Sequence, residues 1–175
     1  MVAEQDPQTI APPQAPKPDV PPRERMFLVV VDKTEEMRNA LRFACRRAQH
    51  TDGRVGLLYY IEPADFQHWM GVEAKMREEK RDEAEQILQA LASEVQSMSG
   101  KIPVLYVREG SARDTILAVI EEEPRIAVLV LGAGTSKRGP GPLVAQLAGK
   151  ISGRFPVPIT VVPGHLTEEQ IDLLS

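Results

Sequence analysis

Five short apolar runs alternate with stretches of helical periodicity, and this alternation leaves the chain very few folds to choose from. The runs are MFLVVVD, ending at Asp32; RVGLLYYIE, Arg54 to Glu62; KIPVLYVRE, Lys101 to Glu109; RIAVLVL, Arg125 to Leu131; and PVPITVVPG, Pro156 to Gly164. A continuous apolar run of this length reads as a strand covered on both faces. Between the runs, apolar residues recur at spacings of three and four. Met37, Ala40, Leu41, Ala44 and Ala48 form one stripe, and Ala84, Ile87, Leu88, Leu91, Val95 and Met98 a second. Ile116, Leu117 and Ile120 form a third, and Leu143, Leu147 and Ile151 a fourth. Strands and helices in strict alternation predict an open five-stranded parallel α/β sheet with helices on both faces. In such sheets a ligand sits beyond the carboxyl ends of the strands, where the order reverses. With the strand order 3-2-1-4-5, which is the expectation for this sheet, that point lies between the first and fourth strands, at Asp32 and Gly132.

Local signals refine the boundaries. Thr34 is placed to cap the first helix, and Glu35 and Glu36 sit where the helix dipole favours anions. Asp52-Gly53 marks a turn. The second helix runs from about Val72 to Ser99 and stops at Gly100. Its first half, EAKMREEKRDEAE, reads as a solvated face with i,i+4 pairing that projects past the sheet. Ser111 with Asp114 forms an S-x-x-D cap, and Thr167 with Gln170 a capping box for a short terminal helix. Prolines in and beside the fifth run favour a sheet edge. Residues 1–25 hold seven of the 15 prolines and no aromatic residue, so they read as a disordered or polyproline-like tail, with PPQAP a weaker match to a PxxP ligand. The expected organisation is therefore a tail over 1–25, one α/β domain over 26–163 and an extension over 164–175.

Composition excludes several classes. A net charge of −4 with both signs mixed argues against nucleic acid as a partner. No apolar run is long enough to span a membrane, and the first residues lack a secretory pattern, so a cytoplasmic location is the expectation. The single cysteine, Cys45, falls on the buried side of the first helix and reads as an inert thiol. His50, His68 and His165 show no metal-ligand spacing. No H-E-x-x-H, G-x-S-x-G or G-x-x-x-x-G-K-[ST] occurs, so an enzymatic role has little to stand on. The loop after the second strand carries Phe66, His68 and Trp69, a cluster suited to packing or to meeting a partner.

Four segments in order, VVVDKTEEMRNALRFA, LLYYIEP, GSARDTILAVIEE and LVLGAGTSKRGPGPLVAQLAGKISGRFPVPITVV, resemble the universal stress protein family from Met26 to about Pro163. The resemblance implies a Rossmann-like sheet. Members that bind ATP, with magnesium, carry G-x-x-G-x9-G-[ST] after the fourth strand. The glycines let backbone N–H groups approach the phosphates, and the hydroxyl stands at a helix start. Laid on that pattern without gaps, this chain has Gly132 at the first glycine, Thr135 at the second, Ala145 at the third and Gln146 at the hydroxyl. The spacing survives and most of the chemistry does not. Gly134, Thr135, Ser136 and Lys137 offer an altered loop in which side chains would hold a phosphate. Asp32 matches the family's acidic residue near the base or ribose, and it is also placed to cap the first helix. Tyr60 stands where the family has a small apolar residue beside the adenine, positioned to stack on a base or to fill the pocket. The resemblance also implies a homodimer through the fifth strand, here Pro158 to Val162. Two functions remain: a non-catalytic, dimerising stress-response scaffold with a degraded nucleotide site and an unidentified protein partner, or an adenine-nucleotide switch using the modified loop.

Overall fold

The computed structural model describes residues 24–63, 70–135, 139–150 and 155–175. Strand β1 spans Met26–Val30, helix α1 Glu36–His50, β2 Arg54–Ile61, α2 Met70–Ser99 and β3 Val104–Glu109. Then follow α3 Ala112–Glu122, β4 Ile126–Ala133, a single helical turn α4 Pro142–Val144 that widens into a π-helical segment Ala145–Lys150, β5 Ile159–Pro163 and α5 Glu168–Leu174. The strands form one sheet in the order β3-β2-β1-β4-β5, and every pairing is parallel. This is the expected order and the expected fold class, with β5 at an edge.

The run in β1 shows why an unbroken apolar sequence was required. Side chains alternate across a sheet. Phe27, Val29 and Val31 join one cluster with Met37, Leu41 and Ala44 of α1 and Leu88, Leu91 and Val95 of α2. Met26, Leu28 and Val30 join the other with Ile116, Val119 and Ile120 of α3 and with Val144 and Leu147. All five residues of β1 are buried because helices cover both faces. Cys45 lies wholly within the first cluster, and burial pushes its thiol up to about 12, so it stays protonated at neutral pH.

Two caps form as expected. The Asp114 N–H donates to Ser111 Oγ at 3.2 Å. The Gln170 N–H donates to Thr167 Oγ1 at 3.3 Å, and the Thr167 N–H donates back to Gln170 Oε1 at 3.0 Å. The start of α1 differs from expectation. Glu35 occupies the cap position with helical backbone angles and no side-chain hydrogen bond, so neither Thr34 nor Asp32 caps α1. Instead the Thr34 N–H donates to Asp32 Oδ1 at 2.8 Å and the Thr34 hydroxyl donates to the same oxygen, closing a side-chain turn ahead of the helix.

The acidic and basic first half of α2 is exposed, with Lys75–Glu79 and Arg81–Glu85 as its i,i+4 pairs. It does not simply project: Arg77 reaches Glu109 at the end of β3, and Lys33 reaches Glu83. Helix α5 docks on α1 with Ile171 buried. Asp172 accepts paired hydrogen bonds from Arg42, at 2.8 and 2.7 Å, and from Arg46, at 3.0 and 3.1 Å. Among the described residues no helix is long and apolar enough to cross a membrane.

Candidate functional site

At the carboxyl ends of β1 and β4 a cleft of about 120 Å³ opens. Strand β1 supplies Val30 and, just beyond it, Asp32. Strand β2 supplies Tyr60, and β4 supplies Leu131 and Gly132. The turn into α1 brings Thr34, Glu36 and Met37, and the loop into α4 brings Pro140 through Val144. Three of the expected residues, Asp32, Tyr60 and Gly132, therefore meet in one place. They do so because β1 and β4 are neighbours whose connections leave on opposite sides.

Tyr60 also lines a second cleft of about 250 Å³ with Lys33, Tyr59, Glu62 and Glu83, so it stands as the wall between the two. Its ring packs against the cluster on the α3 side. Burial raises its hydroxyl above the usual tyrosine range, with the neighbouring Glu62 and Asp32 adding to the shift. Tyr60 thus takes up space in the cleft as part of the packing.

Gly132 lies inside β4, paired with Val162 of β5, rather than in a free loop. A Cβ there would fall 2.2 Å from the Glu36 carbonyl oxygen, so glycine is required by the approach of α1 to the strand. The Gly134 N–H donates to the Pro140 carbonyl at 3.2 Å, folding the loop on itself. Gly141, at φ 97°, precedes Pro142 at the first position of α4. That helix start lies upstream of Ala145 and Gln146, which are exposed and do not line the cleft, and its first residue has no N–H to offer. Thr135 is exposed and also outside the cleft. Ser136 and Lys137 lie outside the described residues, as do Phe66, His68 and Trp69.

Glu36 is the cleft residue that the motif comparison passed over. It lines the cleft, and its Oε1 would lie 2.9 Å from a Cβ built on Gly134. The signal was present: Glu36 follows Asp32 by one short turn, so the chain reversal at the end of β1 returns it to the same rim.

An open parallel sheet with its cleft at the β1/β4 divide, closed by a glycine-bearing loop, defines the class: a doubly wound α/β domain of the kind that binds ligands at its topological switch point. The family follows from the sequence, since the profile described as the universal stress protein family matches residues 25–163 and the chain belongs to that family. No curated protein matches the chain. Among solved structures it is similar to universal stress protein UspA from Lactobacillus plantarum, at 19% identity and a TM-score of 0.66, with 80% of this chain and 98% of that one covered. It is also similar to the universal stress protein from Archaeoglobus fulgidus in complex with dAMP, at 17% identity and a TM-score of 0.54, covering 79% and 97%. A crystal structure of a universal stress protein in complex with cAMP matches at 13% identity and a TM-score of 0.51, covering 80% and 97%. At these identities the likeness is one of fold.

Proposed function

We propose that this chain is a non-catalytic stress-response module, a dimerising scaffold whose nucleotide cleft has lost its ligand. The carrying observation is the closed loop. The Gly134 N–H, in the loop where the family motif places its phosphate contacts, is taken by the Pro140 carbonyl. The cleft of about 120 Å³ is also small; ligand pockets usually begin near roughly 300 Å³. The fifth strand supports the scaffold role. It is an edge strand whose outer side faces no strand of its own sheet, and a second copy would cover it.

A second reading, an adenine-nucleotide switch, has its own support. Asp32, Tyr60 and Gly132 converge on the cleft, and two relatives of the same fold were solved with dAMP and cAMP. In that reading Ser136 and Lys137 would hold the phosphate, with magnesium.

Calorimetric titration with ATP and ADP, with and without magnesium, separates the two, alongside analysis for nucleotide carried through purification. The scaffold reading expects no heat at millimolar ligand and no carried nucleotide. Micromolar binding that is lost in Asp32→Ala or Lys137→Ala would replace it with the switch.

A further inference from the structure

We infer that helix α5 is a brace for the cleft: docked on α1, it fixes the residues just after β4 through Gly164, so the state of the Gly134–Pro140 bond is tied to whether α5 is docked. The inference deepens the scaffold reading and rests on it for its subject, the bond that occupies the Gly134 N–H.

Three sets of contacts form one line from α5 to the rim of the cleft. At the far end, Ile171 is buried and Asp172 is gripped by Arg42 and Arg46 of α1. Glu168 adds an ion pair to Arg42, and the capping box fixes where α5 begins. In the middle, the Asn39 amide, also on α1, donates to the carbonyls of Pro163 and Leu166, each at 3.1 Å. Leu166 packs on the first cluster, and its N–H donates to the Pro163 carbonyl at 3.3 Å, so the chain turns tightly between β5 and α5. At the near end, the Gly164 N–H donates to the Ala133 carbonyl at 2.8 Å, one step beyond the β4–β5 pairing. A Cβ at Gly164 would lie 2.8 Å from that carbonyl oxygen, 3.1 Å from Glu36 Cβ and 3.4 Å from Thr135 Cγ2. Glycine is needed there because the segments approach so closely. Ala133 and Thr135, the two neighbours of Gly134, thus both stand against Gly164. Packed joints of this kind change between discrete arrangements rather than bending smoothly. Freeing α5 therefore frees the turn, and with it the backbone on both sides of Gly134. By reciprocity, whatever breaks the Gly134–Pro140 bond weakens the docking of α5.

Arg42→Ala and Ile171→Asp loosen α5 by two routes, one electrostatic and one apolar. Gly164→Ala presses on the same joint from its other end. Amide exchange is followed by NMR at Gly134 and Gly164 and along α5. Val119 and Ile120 of α3, buried on the opposite face of the sheet, serve as the control for global opening. With α5 loosened, Gly134 and Gly164 are expected to exchange about tenfold faster or more, while Val119 and Ile120 keep their rates. In Gly164→Ala, exchange should quicken both at Gly134 and along α5. Faster exchange along α5 with Gly134 at its wild-type rate would overturn the inference. So would a Gly134 amide that already exchanges freely in the wild type, or equal acceleration at the α3 amides, which marks general destabilisation. Should neither substitution loosen α5, an unchanged Gly134 in Gly164→Ala overturns it as well. Micromolar ATP binding by the wild type would sink the scaffold reading by itself, because the exchange comparison is made without ligand.

Discussion

Gly132 stands where a phosphate-loop motif wants its first glycine, yet its reason for being glycine is a helix. The 2.2 Å approach of the Glu36 carbonyl to a would-be Cβ leaves no space for any side chain. Gly132→Ala is therefore expected to push α1 from the sheet and destabilise the fold by about 1–3 kcal/mol, as overpacking of a close contact does. Urea unfolding midpoints measure this, and an unchanged midpoint would show that the two segments separate freely. At this scale the sequence was partly legible. Asp32 and Gly132 could be placed from strand ends, and Tyr60 from the family resemblance, because a strand end fixes where its last residues lie. Thr135 and Gln146 could not, because a glycine-rich loop reaches its path through backbone angles and internal hydrogen bonds that no residue type announces. Gly134 to Pro140 is such a bond.

Among the elements, α5 carries the clearest pH dependence. Arg42 and Arg46 hold the Asp172 carboxyl at about 2, below its ordinary 3.8. A depressed carboxylate stabilises the folded state above its unfolded value, and that contribution is lost as pH falls through the folded one. The docking of α5 should thus be intact at neutral pH and weaken between about pH 4 and pH 2. Hydrogen exchange along Glu168–Leu174 would report the release, and Arg42→Ala should weaken docking already at neutral pH. Exchange unchanged down to pH 2 would show that Ile171 alone holds the helix. The capping box of α5 and the cap of α3 were readable because their spacing is fixed by the helix itself. The start of α1 was not. Asp32 and Thr34 suit both a cap and a side-chain turn, and only the path from β1 decides between them.

For the molecule as a whole, topology was legible nearly in full. Continuous apolar runs alternating with helical stripes admit few arrangements, and prolines beside the fifth run marked it as an edge. That edge carries the dimer proposal. Ile159→Asp should lower the mass of the protein in solution, read by sedimentation, with Tm recorded because Ile159 also packs on the cluster on the α3 side. A dimer of unchanged strength in a folded variant would remove β5 from the interface. The packing of α5 has a further meaning for where this domain stops. The family pattern closes at residue 163, but the fold does not. Ile171 is as hidden as any strand residue, Asp172 binds two arginines of the first helix, and the Asn39 amide donates to the carbonyls of both Pro163 and Leu166. Severing the chain at the recognised border would open a wound across α1, exposing bare arginines and a dry patch together. What homology marks as an appendage is, mechanically, part of the wall.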